Sequence, residues 1–293
     1  MLKRQKLILA LLREAEEPLT STRFVKLIFL MRKQAPFCDD PTFYDFVPYK
    51  FGPFSFALYR ELSALQRDGY IAPDENSISL NNKTRSLTTT AIAELSPHFS
   101  DAVRSVVRQY GGLSQKALLR KVYSEHPWYA TKSELSDLVP DKLPTLRPAP
   151  VAVYTVGYEG KSVDAFFDHL LRSGIQALID VRANPVSRKY GFAAKSLREI
   201  GTKVGLAYWH LPELGIEGTE RTTLTSVAAY HKLLDRYQSE MLPRRRASIK
   251  RLAELLGECP SALMCVERDV QCCHRSRLAT AVAKVSGLPV VHL

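Results

Sequence analysis

Apolar residues recur at helical spacing through Lys3 to Glu14 and again through Ser21 to Lys33, with Pro18-Leu-Thr-Ser-Thr22 as the break and cap between them. A third helix is predicted over Ser55 to Asp68. Its apolar stripe includes Phe56, Tyr59, Leu62 and Leu65, and Gly69 stops it. Tyr70-Ile-Ala-Pro73 and Ser77-Ile-Ser-Leu80 then read as a short β-wing, after which Thr88 to Glu94, Ser100 to Tyr110 and Ser114 to Glu125 return to helical spacing. Helices followed by a small hairpin predict a mainly α, winged-helix-like domain over residues 1–140. Phe43, Phe46, Phe51 and Phe56 are expected to pack as core around a turn at Gly52-Pro53.

Three prolines in Asp141-Lys-Leu-Pro-Thr-Leu-Arg-Pro-Ala-Pro150 forbid a continuous helix, so residues 141–150 read as an extended linker. Beyond it, short β-rich runs alternate with helical stretches. Strands are predicted at Val151–Val156, Ala177–Val181, Leu206–Leu211, Ser261–Cys265 and Pro289–His292. Helices are predicted at Ser162–Ser173, Ser196–Val204, Val227–Leu256 and from Cys273 to Ser286. Such alternation predicts an α/β domain over 151–293, a Rossmann-like parallel sheet with helices on its faces.

The 293 residues suffice for two such domains, and a hydrophobic content of 45% suits packed cores rather than disorder. Lys and Arg outnumber Asp and Glu by 41 to 30, a formal charge of +11, which favours a polyanionic partner, DNA or RNA. No apolar run reaches the length of a membrane span, and the basic N-terminus lacks a cleavage-site pattern, so no membrane partner and a cytoplasmic location are expected. Five cysteines do not resemble a secreted disulfide framework.

In an open α/β sheet ligands bind beyond the carboxyl ends of the strands, and the least ordinary polar residues of this chain fall there. The first strand runs into Gly157-Tyr-Glu-Gly160 and the second into Asp180-Val-Arg-Ala-Asn-Pro-Val-Ser-Arg188. The third leads to His210-Leu-Pro-Glu-Leu-Gly215, and the fourth to Cys265-Val-Glu-Arg-Asp-Val-Gln-Cys-Cys-His-Arg275. At a helix start Cys273 is expected to have a lowered pKa, as nucleophile or metal ligand. The other reading of Cys273 and Cys265 is a pair of small buried residues packing helix against sheet. Asp180 serves either as general base or as the partner that positions Arg182. Glu159 and Glu267 complete the catalytic candidates. Tyr158, Arg182, Ser187, Arg188, His210, Glu213, Cys265, Asp269, His274 and Arg275 are candidates for holding substrate or phosphate.

Tyr158, Tyr190 and Trp209 could stack on a base. Tyr49 and Lys50, with the basic run Arg244, Arg245 and Arg246 on one exposed helix side, are candidate nucleic-acid contacts. No cofactor is expected: Gly157 to Gly160 is too short for a dinucleotide fingerprint and no Walker lysine is present. Zinc or iron is the competing chemistry, through Cys265, Cys273, His274 and His210 or Glu267. It is disfavoured because there are no paired Cys-x-x-Cys knuckles and adjacent Cys273 and His274 cannot easily both coordinate from a helix start.

The four segments at the strand ends resemble, in order and spacing, the family called domain of unknown function 488, over nearly all of residues 151–293. The chain departs from that pattern in carrying Cys272 and a variable stretch from Gly218 to Thr225. The resemblance implies a site without implying a reaction. Upstream, Phe24-Val-Lys-Leu-Ile-Phe-Leu30, Phe46-Val-Pro-Tyr-Lys-Phe-Gly-Pro-Phe-Ser55 and Lys121-Val-Tyr-Ser-Glu-His-Pro-Trp-Tyr129 look like Panacea-type domains of some antitoxins. That similarity implies recognition of a protein partner or of DNA. The expected function is therefore a nucleic-acid-directed hydrolase that processes a base, a nucleotide or a damaged end. The rival readings are a non-catalytic DNA-binding regulator or antitoxin-like protein sensing a small anion, and thiol or metal chemistry on a small molecule. The sequence leaves the oligomeric state open.

Overall fold

The computed structural model describes residues 1–74, 77–145, 147–221 and 227–293, so the stretch expected to vary, 218–225, lies partly outside the described residues. The chain divides into two compact units, Met1–Thr145 and Leu146–Leu293.

In the first unit, helix α1 (Lys3–Glu14) and helix α2 (Ser21–Arg32) follow the predicted bounds closely. The Thr20 hydroxyl caps α2 by accepting from the Arg23 N–H at 3.3 Å. Every residue of α2 from Phe24 to Met31 is buried, so this helix is the axis of the unit's core. Strands β1 (Val47–Tyr49) and β2 (Gly52–Phe54) pair antiparallel, Tyr49 opposite Gly52, which places the turn at Lys50-Phe51 rather than at Gly52-Pro53. Phe43, Phe46 and Phe56 are buried as expected, whereas Phe51 at the turn tip is 47% exposed. Helices α3 (Phe56–Arg67), α4 (Arg85–Ala93), α5 (Pro97–Tyr110) and α6 (Gln115–Glu125) complete the unit. The expected wing is reduced to single bridges, Ile71 with Leu80 and Leu19 with Ile78.

The second unit is a five-stranded, all-parallel sheet in the order β5-β4-β6-β3-β7. Its elements run β3 (Val153–Gly157), α7 (Val163–Arg172), β4 (Ala177–Asp180), α8 (Ala194–Val204), β5 (Ala207–His210), α9 (Val227–Arg236), α10 (Arg246–Glu258), β6 (Ser261–Cys265), α11 (His274–Ser286) and β7 (Val290–His292). Strands β3, β4 and β6 are buried throughout, which is why they read as continuous apolar runs. The helix expected over Val227–Leu256 is broken: Tyr237–Met241 forms a π turn and Leu242–Arg245 a 3₁₀ turn, because Pro243 supplies no N–H to the ladder.

The chain moves toward the β5 edge after β3 and β4, and toward the β7 edge after β5 and β6. Right-handed crossovers therefore place α7 and α8 on one face and α9 to α11 on the other. Residues of α10 and α11 share a core with Val153, Ile179 and Leu263 of the sheet. Neighbouring strands β4 and β6 thus send their chains to opposite faces, and the crevice that opens between such strands lies at their carboxyl ends.

Candidate functional site at the carboxyl ends of the central strands

At the carboxyl end of β4 lies a buried ion pair. Asp180 ends β4 and is wholly buried, and Arg182 two residues later is 5% exposed. Arg182 Nε and Nη2 donate to the two carboxylate oxygens of Asp180 at 2.8 and 2.5 Å, and its backbone N–H donates to Oδ1 at 3.1 Å. The Tyr208 hydroxyl donates to Asp180 Oδ2 at 2.8 Å. The remaining Arg182 donors reach the Phe192 carbonyl at 3.0 Å and the Tyr158 hydroxyl at 3.3 Å. Burial alone would lower the Arg182 pKa, but the bonds and charge of Asp180 outweigh it and the net shift is upward. Asp180 is therefore engaged as the positioning partner of Arg182, not as an open general base.

Both histidines of the motifs serve this strand end. His210 Nε2 donates to the Arg182 carbonyl at 2.9 Å, and His274 Nε2 donates to the Val181 carbonyl at 3.0 Å. With the Leu211 N–H on the Asp180 carbonyl at 3.0 Å, three successive carbonyls that leave the sheet are paired.

The bond to Val181 fixes the proton of His274 on Nε2 and leaves the Nδ1 lone pair facing inward. Two thiols face it, Cys265 Sγ at 3.5 Å and Cys273 Sγ at 3.9 Å. All three donor atoms lie within 4.8 Å of one another and all three residues are buried. Cys273 is the N-cap of α11 with extended backbone, φ −143° and ψ 138°, so its side chain is not bound to helical spacing and meets the same point as that of His274. Cys273 and His274, expected not to coordinate easily together from a helix start, therefore bring their donor atoms to one point. The expected acidity is corrected: burial, followed by the neighbouring Cys265, raises the Cys273 thiol well above its ordinary pKa. Tyr237, carried by the π turn, stands edge-on to the His274 ring at 5.5 Å and donates to the Leu214 carbonyl at 2.6 Å.

Around this interior runs a cationic rim. Lys161 Nζ donates to the Gly157 carbonyl at 3.1 Å and Lys189 Nζ to the Tyr158 carbonyl at 3.4 Å. Arg275 is 2% exposed, and donates to the carbonyls of Glu267 and Arg268 at 2.6 and 3.2 Å. The Lys161 pKa is lowered by burial and then by the charges of Arg268, Arg275 and Lys189; burial lowers Lys189 too. An open recess beside β3 is lined by Glu159, Arg268, Asp269, Arg275 and His292. Sequence reasoning does not find Lys161, Lys189, Tyr208, Phe192 or Tyr237. The Ser-Arg-Lys run ending at Lys189, and Lys161 just before the Ser162 cap of α7, are the signals it could have used.

Several other candidates have local roles. Glu159 Oε2 accepts the Arg268 N–H at 2.9 Å, Asp269 Oδ1 accepts the Gln271 N–H at 2.9 Å, and Ser187 Oγ accepts the Lys189 N–H at 3.1 Å. Glu267 Oε2 accepts from the Cys265 thiol at 3.2 Å and Oε1 from the Tyr230 hydroxyl at 3.3 Å. Arg188 and Glu213 are exposed. Tyr158 is buried, with one ring face stacked on Phe192 at 4.2 Å and the Arg182 guanidinium over the ring, so it offers no surface to a base; Trp209 on edge strand β5 is 46% exposed. Arg244 and Arg246 are exposed, but Arg245 turns inward and donates to the Gly215 carbonyl at 2.8 Å. The three do not share one exposed helix side, because Arg244 and Arg245 lie in the 3₁₀ turn that Pro243 imposes.

In the first unit, Lys50 pairs with Glu134 at 3.0 Å at the exposed hairpin turn. Tyr49 lines a small apolar pocket with Phe54 and Tyr59. At that pocket Lys26 is 3% exposed, and its Nζ donates to the Pro53 carbonyl at 3.0 Å. Burial lowers its pKa to about 7. A folded-state pKa below the unfolded one means that the unfolded chain binds the extra proton between pH 10.5 and about 7, so this group costs stability as pH falls through that window. Lys26→Met should therefore be stabilising relative to the native chain at pH 7. The difference should shrink by roughly 1.4 kcal/mol per unit as pH rises toward 10, as urea melts of both proteins at several pH values would measure.

No curated protein and no solved structure matches the chain. Residues 162–282, which carry α7, the Asp180–Arg182 pair, the two histidines and both buried thiols, match the family described as Domain of unknown function DUF488.

Proposed function

We propose that the second unit binds a phosphate-bearing ligand, a nucleic-acid strand or a nucleotide, at the carboxyl ends of β3, β4 and β6 and hydrolyses a bond in it. The first unit docks the nucleic acid or a protein partner. The observation that carries this reading is the crowding of Lys161, Lys189, Arg268 and Arg275, whose mutual repulsion contributes to lowering the Lys161 pKa. An anion placed among them would relieve that repulsion. The N-terminus of α7, beside Lys161, adds backbone N–H groups of the same polarity. With Asp180 engaged by Arg182, Glu159 and Glu267, each already accepting a hydrogen bond, are the carboxylates we assign to proton transfer in a phosphodiester or glycosidic hydrolysis.

Fluorescence anisotropy with labelled single-stranded DNA, duplex DNA and RNA at low salt tests binding. Lys161→Ala/Lys189→Ala should weaken it at least tenfold and reduce the salt slope by roughly 1.4 to 1.8, two phosphate contacts' worth. Absence of binding to every strand form and to free nucleotides at low salt would overturn the proposal. Incubation with damaged and modified oligonucleotides then asks for turnover.

One observation favours a second reading, a non-catalytic regulator that senses a small anion. Asp180 is fully bonded and the Cys273 thiol is buried with a raised pKa, so neither is poised to react. In that case ligand binding would persist with no turnover on any substrate.

A further inference from the structure

We infer that Cys265, Cys273 and His274 form a binding site for a divalent zinc-class ion. The inference rests on the donor geometry and stands whether or not the second unit acts on nucleic acid. Zinc bonds of about 2.3 Å to sulfur and 2.0–2.1 Å to nitrogen imply tetrahedral edges of about 3.5 Å between S and N and about 3.8 Å between two sulfurs. Nδ1 of His274 lies 3.5 Å from Cys265 Sγ and 3.9 Å from Cys273 Sγ, and the three atoms fall within 4.8 Å of one another. Both sulfur–nitrogen edges are thus close to tetrahedral spacing before any ion enters, and the sulfur–sulfur edge is no longer than 4.8 Å.

The outer contacts suit the same role. The His274 Nε2–H bond to the Val181 carbonyl at 3.0 Å sets the tautomer that presents Nδ1, as the second ring nitrogen of a metal-bound histidine commonly does. The Tyr237 ring fixes the imidazole plane from the side. Glu267, bonded to Cys265 Sγ at 3.2 Å, borders the fourth position. On binding, the two thiol protons leave to solvent, Cys265 and Cys273 coordinate as thiolates, and His274 stays neutral. The two thiolate charges balance the two positive charges of the ion. Cys272 is not part of the site: its sulfur turns to Asp269 Oδ2 at 3.6 Å.

The test uses the full chain, purified with a thiol reductant and without chelators. Metal content is measured first; the metal-stripped protein is then titrated with cobalt(II) and with zinc against a chromophoric competitor. One ion per chain is expected, with a thiolate-to-cobalt charge-transfer band. Cys265→Ser, Cys273→Ser and His274→Ala should each weaken binding by at least about 100-fold, and Cys272→Ser should leave it unchanged. If the reduced native chain shows no thiolate-to-cobalt band, the inference is overturned. It is overturned equally if Cys272→Ser removes the band as fully as Cys273→Ser. The measurement on the native chain and on Cys272→Ser stays decisive if the ligand variants fail to fold.

Discussion

Arg182→Leu should lower the stability of the full chain by about 3–5 kcal/mol, the usual cost of leaving one member of a buried ion pair without its partner. Asp180 is wholly buried, and the substitution removes the two guanidinium bonds it accepts, leaving Tyr208 and the residue 182 N–H as its donors. The Tyr158 hydroxyl and the Phe192 carbonyl lose a donor at the same time. Asp180→Asn/Arg182→Leu should be less destabilised than the sum of the two single variants, because the double change removes both charges. Urea unfolding of the four proteins gives the coupling directly. Simple additivity would mean that the pair does not interact as its geometry requires. A general-base role makes a different demand: Asp180→Asn alone would remove turnover while leaving stability nearly intact.

The same pair shows where sequence reasoning reaches and where it stops. That Asp180 and Arg182 lie at a strand end is legible, because Ala177-Leu-Ile-Asp180 is a short apolar run buried on both faces, as parallel strands are. Whether Asp180 acts as base or as partner is not legible. Residues two apart share a strand face, but whether their side chains close on each other depends on the carbonyls of residues 180–182, which are held by Leu211, His274 and His210 from two other segments. Cys265, Cys273 and His274 are legible as candidate ligands, but their meeting at one point is not, for a related reason. The sequence puts Cys273 at a helix start without telling whether it is the first helical residue or the cap; it is the cap, and the extended backbone there lets its sulfur meet His274 and Cys265. Lys161 and Lys189 do not stand out in the sequence because loop lysines are common. What sets these apart is the company of Arg268 and Arg275, which comes from a segment about 100 residues away along the sequence.

The glycines of two motifs have a steric cause that the sequence does not disclose. A Cβ on Gly215 would stand 2.1 Å from the Ala183 backbone nitrogen, and one on Gly157 would stand 1.9 Å from the Glu267 carbonyl oxygen. The approach at Gly157 follows from the sheet. Gly157 is in register with Cys265, and the ladder continues as the Glu159 N–H donates to the Val266 carbonyl at 2.9 Å, so residue 267 must cross directly over residue 157. Gly157→Ala should therefore cost about 3 kcal/mol or more, at the upper end for overpacking, since the obstructing atom is backbone and cannot rotate away. The effect should reach function as well. The displaced Glu267 carbonyl is the one that accepts from Arg275 Nη1 at 2.6 Å, so binding of oligonucleotides should weaken together with stability. Gly257→Ala is the matched control. Among the described residues, and apart from its chain neighbours and the helix's own backbone, no atom lies within 4 Å of its Cβ position in α10, and alanine there should stabilise the chain by about 0.5–1 kcal/mol. Thermal melts and anisotropy titrations of the two variants side by side would show opposite signs in stability. Equal behaviour would mean that the crossing of residue 267 over residue 157 does not constrain the site.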